Sequence, residues 1–339
     1  MVAGDTVYVR AGTYREQVRI TKAGAPGKYI TYAAYPGDEN KVVVDGAGFN
    51  YKWDSSFWGI SGPVIIQASY IYLTGFRVIN SNGVGIKAVN GLTNITLYKN
   101  WVTNTASMCI SFRGNLHSSH EIKNIIIDDN DVSRCIDISY GSSNIYGEFI
   151  ELNGVDTFEI KNNKVHDWVG DPNRGGEGID TTNSINGAIH HNEVYNVKLG
   201  IYIDAYYGQN ENIDVYNNLV YDTAHSGIAV AAEEGGSRGG YIKNIRIYNN
   251  IVYNPGTHAF GLSTCCSDPS PITGITIHSN TFRGGVWIGH AKGINDIILR
   301  NNIANDIGVA SGIPGGAVIL QNNFKTNSQG SARFVNEAG

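Results

Sequence analysis

The chain is expected to be an all-β solenoid, with short parallel strands wound into successive coils. Three observations predict it. Short runs rich in β-branched and aromatic residues alternate with period two and are separated by Gly, Asn, Asp and Ser. An Asn follows such a run nine times, at Asn100, Asn130, Asn163, Asn192, Asn218, Asn250, Asn280, Asn302 and Asn323. Finally, no long run carries apolar residues every 3.6 positions or so, which argues against long amphipathic helices.

Taken in order, the cycle begins early. Gly4-Asp5-Thr6-Val7-Tyr8-Val9 reads as a first strand, but residues 1–62 are less regular than the rest of the chain. Trp53, Phe57, Trp58 and Gly59 fall in an insertion between coils. Residues 63–310 hold the regular coils. One strand of each cycle ends at the Asn, as in Ile-Thr-Leu-Tyr-Lys-Asn100 and Ile-Ile-Ile-Asp-Asp-Asn130. A short piece comes next, marked by Val102, Val132, Val165, Val194, Val220, Val252, Phe282 and Ile303. A further strand completes the cycle, as in Phe149-Ile150-Glu151-Leu152 and Gly178-Ile179-Asp180-Thr181. The Asn is assigned to a corner, because Asn tolerates the left-handed conformation and its amide can bond the coils above and below. From about Ser311 aromatics thin out, so 311–339 reads as a terminal cap or tail. The whole is one domain, 1–339, since each repeat buries its apolar face against its neighbours.

Three short strands in about 20–30 residues fit neither a propeller blade, which needs about 40–50, nor a leucine-rich repeat, whose fixed Leu spacing is absent. The chain resembles a right-handed parallel β-helix of the pectate-lyase-like superfamily. It is similar in particular to bacterial β-helix proteins that open with Gly-Asp-Thr and then Ala-Gly-Thr-Tyr-Arg-Glu, here Gly4 to Thr6 and Ala11 to Glu16. The resemblance covers nearly the whole chain and implies about ten or more coils. That superfamily hosts lyases, glycosidases, epimerases and phage fibres, so the reaction has to be argued from the site.

Composition narrows the partners. The net charge is -5 with a pI of about 6.0, and no basic stripe points to nucleic acid. No run approaches the ~18–20 apolar residues of a membrane span. The chain shows no signal peptide, and its start reads as that of a trimmed mature protein, expected to be secreted, periplasmic or on the cell surface. Cys265 and Cys266 are adjacent, and Cys109 and Cys135 can be read either as a pair or as buried thiols.

The chemistry concentrates between Tyr146 and Ala205. Aligned on inward Ile residues, the first outward position of successive coils reads Lys87, Ser111, Glu151, Asp180, Tyr202, Ala229, Gly261 and Trp287. The second reads Val89, Arg113, Asn153, Thr182, Asp204, Ala231 and Ser263. With strands about 4.8 Å apart, Glu151 and Asp180 are neighbours in one column and Asp180 and Asp204 lie diagonally. Glu148 and Glu177 precede their strands and reach the same patch. One acid alone reads as a solvated outward residue. Five acids within three coils, followed by Ala and Gly, mark a site.

Such crowding calls for a shared proton, a metal or a cation. A shared proton suits glycoside hydrolysis, with Asp180 and one of Glu151, Glu177 or Asp204 as the catalytic pair and no cofactor. A metal would be Ca²⁺ on Glu151, Asp180 and Asp204, in a lyase or epimerase acting on uronate polymers. The resemblance implies a catalytic Lys where this chain has Ala229 or Gly261, leaving Lys198, Tyr202, His225 and Arg113 as candidate bases. A third reading is a non-catalytic β-helix that binds glycan or serves as a fibre. Glu148, Arg113, Trp168, Arg174, Tyr202, Tyr206, Tyr207 and His225 are the candidate contacts to a polysaccharide or oligosaccharide, since sugar rings stack on aromatic faces. Tyr140 and Tyr146 flank the same patch. The loop Asp167–Gly176, and the loop Ala232–Gly240 with Glu233 and Glu234, are the expected groove walls.

Overall fold

The computed structural model describes residues 1–51, 53–54, 59–114, 120–137, 139, 147–170, 175–206, 208–289 and 292–326. One ladder is a 12-stranded parallel sheet running from Thr6–Val9 to Val318–Gln321, each strand pairing with the strand one coil on. The other two ladders merge into a 20-stranded sheet, because Ile251–Thr264 and Thr281–Gly289 run unbroken through the corner between them. The fold is a parallel β-helix. Its first coils are already in register within residues 1–62, Thr6 opposite Thr31 and Gly12 opposite Val42. The ladders continue past residue 310 as far as Phe324–Lys325.

Alternation decides which side chains form the core. Ile71, Ile95 and Ile125 are register partners in consecutive coils and are fully buried. The next two partners are Phe158 and Gly187. A Cβ at Gly187 would stand 2.1 Å from the Phe158 ring, so the missing side chain is what admits the phenyl group. Burying each Ile against its neighbours is worth roughly 1.5–3 kcal/mol, which drives the coils to stack.

The corners are polar, buried and satisfied. Asn192 Nδ2 donates to Ile160 O (2.9 Å) and to Asn218 Oδ1 (3.0 Å). Its own Oδ1 accepts from the Asn163 amide (3.0 Å) and backbone N–H (3.0 Å). The same pattern links Asn100 to Asn130 and continues to Asn323. The left-handed conformation falls on the residue before each Asn, not on the Asn as expected. Lys99, Asp129, Asn162, His191 and Asn217 have φ between 53° and 55°. That frees the ladder Asn to turn inward while its neighbour makes the bend.

Cys109 and Cys135 are joined, with Cα atoms 5.5 Å apart, and Cys265 is linked to Cys266. Among the described residues no helix is long and apolar enough to cross a membrane.

Candidate active site

The structure places the outward residues in the columns that alternation predicts. Glu151 is the register partner of both Ser111 and Asp180, and Asp180 that of Tyr202. Asp204 is the partner of Thr182, hence diagonal to Asp180. Glu148 and Glu177 stand at the entries of the strands bearing Glu151 and Asp180.

Glu151 is held from both sides. Its side chain is 1 % exposed. Arg113 meets Oε1 through Nε (2.8 Å) and a terminal nitrogen (2.5 Å). Ser111 Oγ donates to Oε2 (2.6 Å) and accepts from Lys87 Nζ (2.9 Å). Burial alone would raise the Glu151 pKa. The Arg113 and Lys87 charges and the two hydrogen bonds outweigh it and hold the carboxyl below its ordinary value. Glu151 is therefore a fixed anion. Lys87 is itself fully buried, and that desolvation pulls its pKa down to about 8 against the opposing pull of Glu151. Lys87 and Ser111 stand in the column read from the sequence, but nothing there separates a buried ammonium from a solvated one.

Asp180 is the opposite case. It is buried, accepts one hydrogen bond from Thr182 Oγ1 (2.9 Å), and leaves Oδ1 with no partner. Burial first, then the Asp204 and Glu177 charges, push its pKa well above the carboxylate range. Asp204 is pushed the same way by burial, then by Glu233, Glu148 and Glu177, and its Oδ1 is also without a partner. Glu148 is raised by burial, then by Glu151 and Asp180. Glu177 is raised too, by burial, with Lys198 opposing. Glu233, on a loop expected to wall the groove, belongs to this set: Tyr202 OH points at its Oε1 (3.4 Å). The Tyr202 phenol, buried beside these acids, is held well above its usual value. The patch thus sets one locked anion against several carboxyl groups whose pKa values are raised.

An open cleft of about 420 Å³ starts at Glu177 and Lys198, passes Tyr202 and His225, and ends at Trp287. Its floor is the part of the columns where side chains are short: Ala229, Ala231, Gly261 and Ser263. His225 is exposed at its rim. Trp168 packs partly against the core, its indole seated where Cβ atoms on Gly170 and Gly176 would clash. Tyr206 is 39 % exposed, and its backbone is anchored on both sides by the Asn183 amide. Tyr140, Tyr146, Arg174 and Tyr207 lie outside the described residues. Trp287, at the far end of the Asp180 column, was not among the expected contacts.

The donor set for a hard cation is incomplete. Asp180 Oδ1, Asp204 Oδ1 and Asn153 Oδ1 are buried oxygens without hydrogen-bond partners, the kind of atom Ca²⁺ takes. Among the described residues, however, no three acids, histidines or cysteines converge closely enough to hold an ion. Glu151, with both oxygens engaged, contributes none freely.

No protein-family model matches the chain. The uncharacterized protein YwoF of Bacillus subtilis (strain 168) is 28% identical over an alignment of 362 positions that covers 96% of this chain. The chain spans 66% of the length of that protein. Among solved structures, XylC with xylose has a TM-score of 0.56 at 14% identity, covering 98% of this chain and 83% of the other. A GH136 lacto-N-biosidase from Eubacterium ramulus gives 0.55 and 12%, covering 96% and 63%. Pectate lyase Pel9A gives 0.52 and 13%, covering 98% and 74%. What these share with the chain is the fold.

Proposed function

We propose that the protein is a carbohydrate-active enzyme that cleaves glycosidic bonds of a polysaccharide lying along the cleft, and that it does so by hydrolysis. The observation that carries this is Asp180, a buried, half-satisfied carboxyl one coil from the locked Glu151 and one coil from Tyr202, which lines the cleft; burial and neighbouring carboxylates raise its pKa. Environments that push two carboxyl groups apart divide acid from base. In this reading Asp180 gives its proton to the leaving glycosidic oxygen. Glu177, which lines the cleft, has its pKa raised less than that of Asp180, with the Lys198 charge opposing the shift; it acts as the carboxylate on the anomeric carbon, either directly or by taking the proton of an attacking water. Glu151 is a positioning residue: it holds Arg113 and, through Ser111, Lys87. Charge on Asp204, Glu177 or Glu151 opposes ionisation of Asp180. The solved β-helix structures named above include a lyase, a glycosidase and a complex with xylose, which is consistent with a sugar ligand here and leaves the reaction to be tested.

A second reading, a Ca²⁺-assisted lyase on uronate polymers, is favoured by the three orphaned oxygens alone. The acids as placed do not converge on an ion, so no step is derived through a metal. The test is a product screen on neutral and uronic polysaccharides, with and without chelator. Hydrolysis predicts new reducing ends, no ultraviolet-absorbing unsaturated product and indifference to chelator. Unsaturated product that vanishes with chelator would establish the second reading. Binding without turnover across the panel would leave only a glycan-binding module.

A further inference from the structure

We propose that Trp287 is a distal stacking platform for a pyranosyl unit, and that the cleft therefore takes an extended neutral oligosaccharide running along the solenoid axis rather than a single sugar. The inference rests on the reading of the cleft as a glycan site and adds to it a direction and a length.

The column from Asp180 continues through Tyr202, Ala229 and Gly261 to Trp287. Four coil steps at about 4.8 Å each put Trp287 roughly 19 Å from Asp180. Side chains dwindle to nothing over that path and then return as the largest residue there is. The indole is 41 % exposed at the end of a polar cleft.

The ring is also seated. Gly308 occupies the next coil of the same column, and a Cβ there would stand 2.7 Å from the indole Cε3. Gly289, two residues on, would place a Cβ 2.2 Å from Nε1. Both glycines make room for the indole to lie against the backbone, so its orientation is fixed before any ligand arrives. On the other side Gly261 offers no side chain to cover it. His258 sits at the rim with its ring 6.2 Å away, and burial lowers its pKa, leaving a neutral donor and acceptor for hydroxyl groups.

A fixed aromatic face, an uncharged hydrogen-bonding neighbour and a bare floor recognise the C–H face and hydroxyls of a neutral pyranose. Among the described residues the lining holds one acid, Glu177, with Lys198 beside it, so it offers a polyanion no excess positive charge along its length. One coil step is close to the length of a pyranose unit, so a chain reaching from Asp180 to Trp287 has about five units.

The experiment uses a size series of oligosaccharides prepared from whichever neutral polysaccharide the wild type cleaves. Trp287→Ala should raise KM about tenfold to thirtyfold on chains of about five units or more, with kcat little changed, and the penalty should shrink as the chain shortens. Trp287→Tyr should recover most of the affinity, which separates a lost platform from a lost fold. An equal loss at every length, or no loss at any, overturns the proposal. If the wild type cleaves no glycan, the hydrolytic reading fails by itself. The platform is then tested by titrating gluco-, xylo- and manno-oligosaccharides of graded length against intrinsic tryptophan fluorescence: a length-dependent change that Trp287→Ala abolishes supports it, and none in the wild type overturns it.

Discussion

Two polar stacks run through this molecule, and they are built on opposite rules. At the corner, Asn follows Asn from Asn100 to Asn323, buried as far as Asn302, with every amide donating and accepting along the axis. On the outward face, Glu151, Asp180 and Asp204 also follow one another coil by coil and are also buried, yet Asp180 and Asp204 each keep an oxygen with no partner. Burial is the same in both. Satisfaction differs, and with it the role: an unpartnered buried polar group costs about 1–3 kcal/mol, which a fold retains only where something else requires it. The contrast repeats inside the acid column. Glu151 has Arg113 and Ser111, and Asp180 has Thr182 alone.

Breaking the satisfied stack should have the largest effect on stability. Asn192→Ala removes an acceptor from the coil below and donors to Ile160 O and Asn218. It should cost on the order of 3–5 kcal/mol by chemical denaturation. A loss under about 1 kcal/mol would mean that the ladder is ornamental. Removing the one locked acid comes next. Glu151→Gln leaves Arg113 without its carboxylate, and since Arg113 is a quarter exposed, solvent softens the penalty to about 2–3 kcal/mol. Unchanged stability would mean that the pair is not what holds this part of the column.

The pH dependence sharpens the same comparison. Asp180 has its folded pKa raised, so the native state keeps a proton that the unfolded chain has released. Its contribution is most favourable below the ordinary carboxyl pKa of about 3.9. It is lost as pH rises from there through the raised folded value, at up to about 1.4 kcal/mol per pH unit. Glu151, with a lowered pKa, works in the other direction and loses its contribution as pH falls. Melting curves across this window should therefore show the alkaline-side decline shallower by about one proton in Asp180→Asn than in wild type. An unchanged slope would place the excess proton elsewhere.

Much of this was legible in the sequence. The Asn recurrence marked the coil, and alternation about the inward Ile marked the columns, because a parallel register leaves no freedom once the core is fixed. That is why Glu151, Asp180 and Asp204 could be placed together although 29 and 24 residues separate them. What alternation cannot carry is burial and partnership. Lys87 stands in the same column, yet its desolvation depends on side chains from other coils. Glu233 reaches the acids from a loop whose path no periodicity encodes. Trp287 reads as one more outward residue until Gly289 and Gly308 are seen to make its seat. Left-handed φ falls on the residue before each Asn for a related reason: either of two adjacent polar residues satisfies a turn signal, and only the inward amide decides between them.

The most direct test of the account is Asp180→Asn, followed for turnover and melting temperature on the same preparation at neutral pH. The amide matches the protonated carboxyl in shape but has no proton to give. Glycan cleavage should fall by about 10²–10⁴-fold while the melting temperature holds or rises, since a strained buried acid has been removed. Retained turnover, or a melting temperature lowered by several degrees, would contradict the claim that the unsatisfied acids are kept for chemistry.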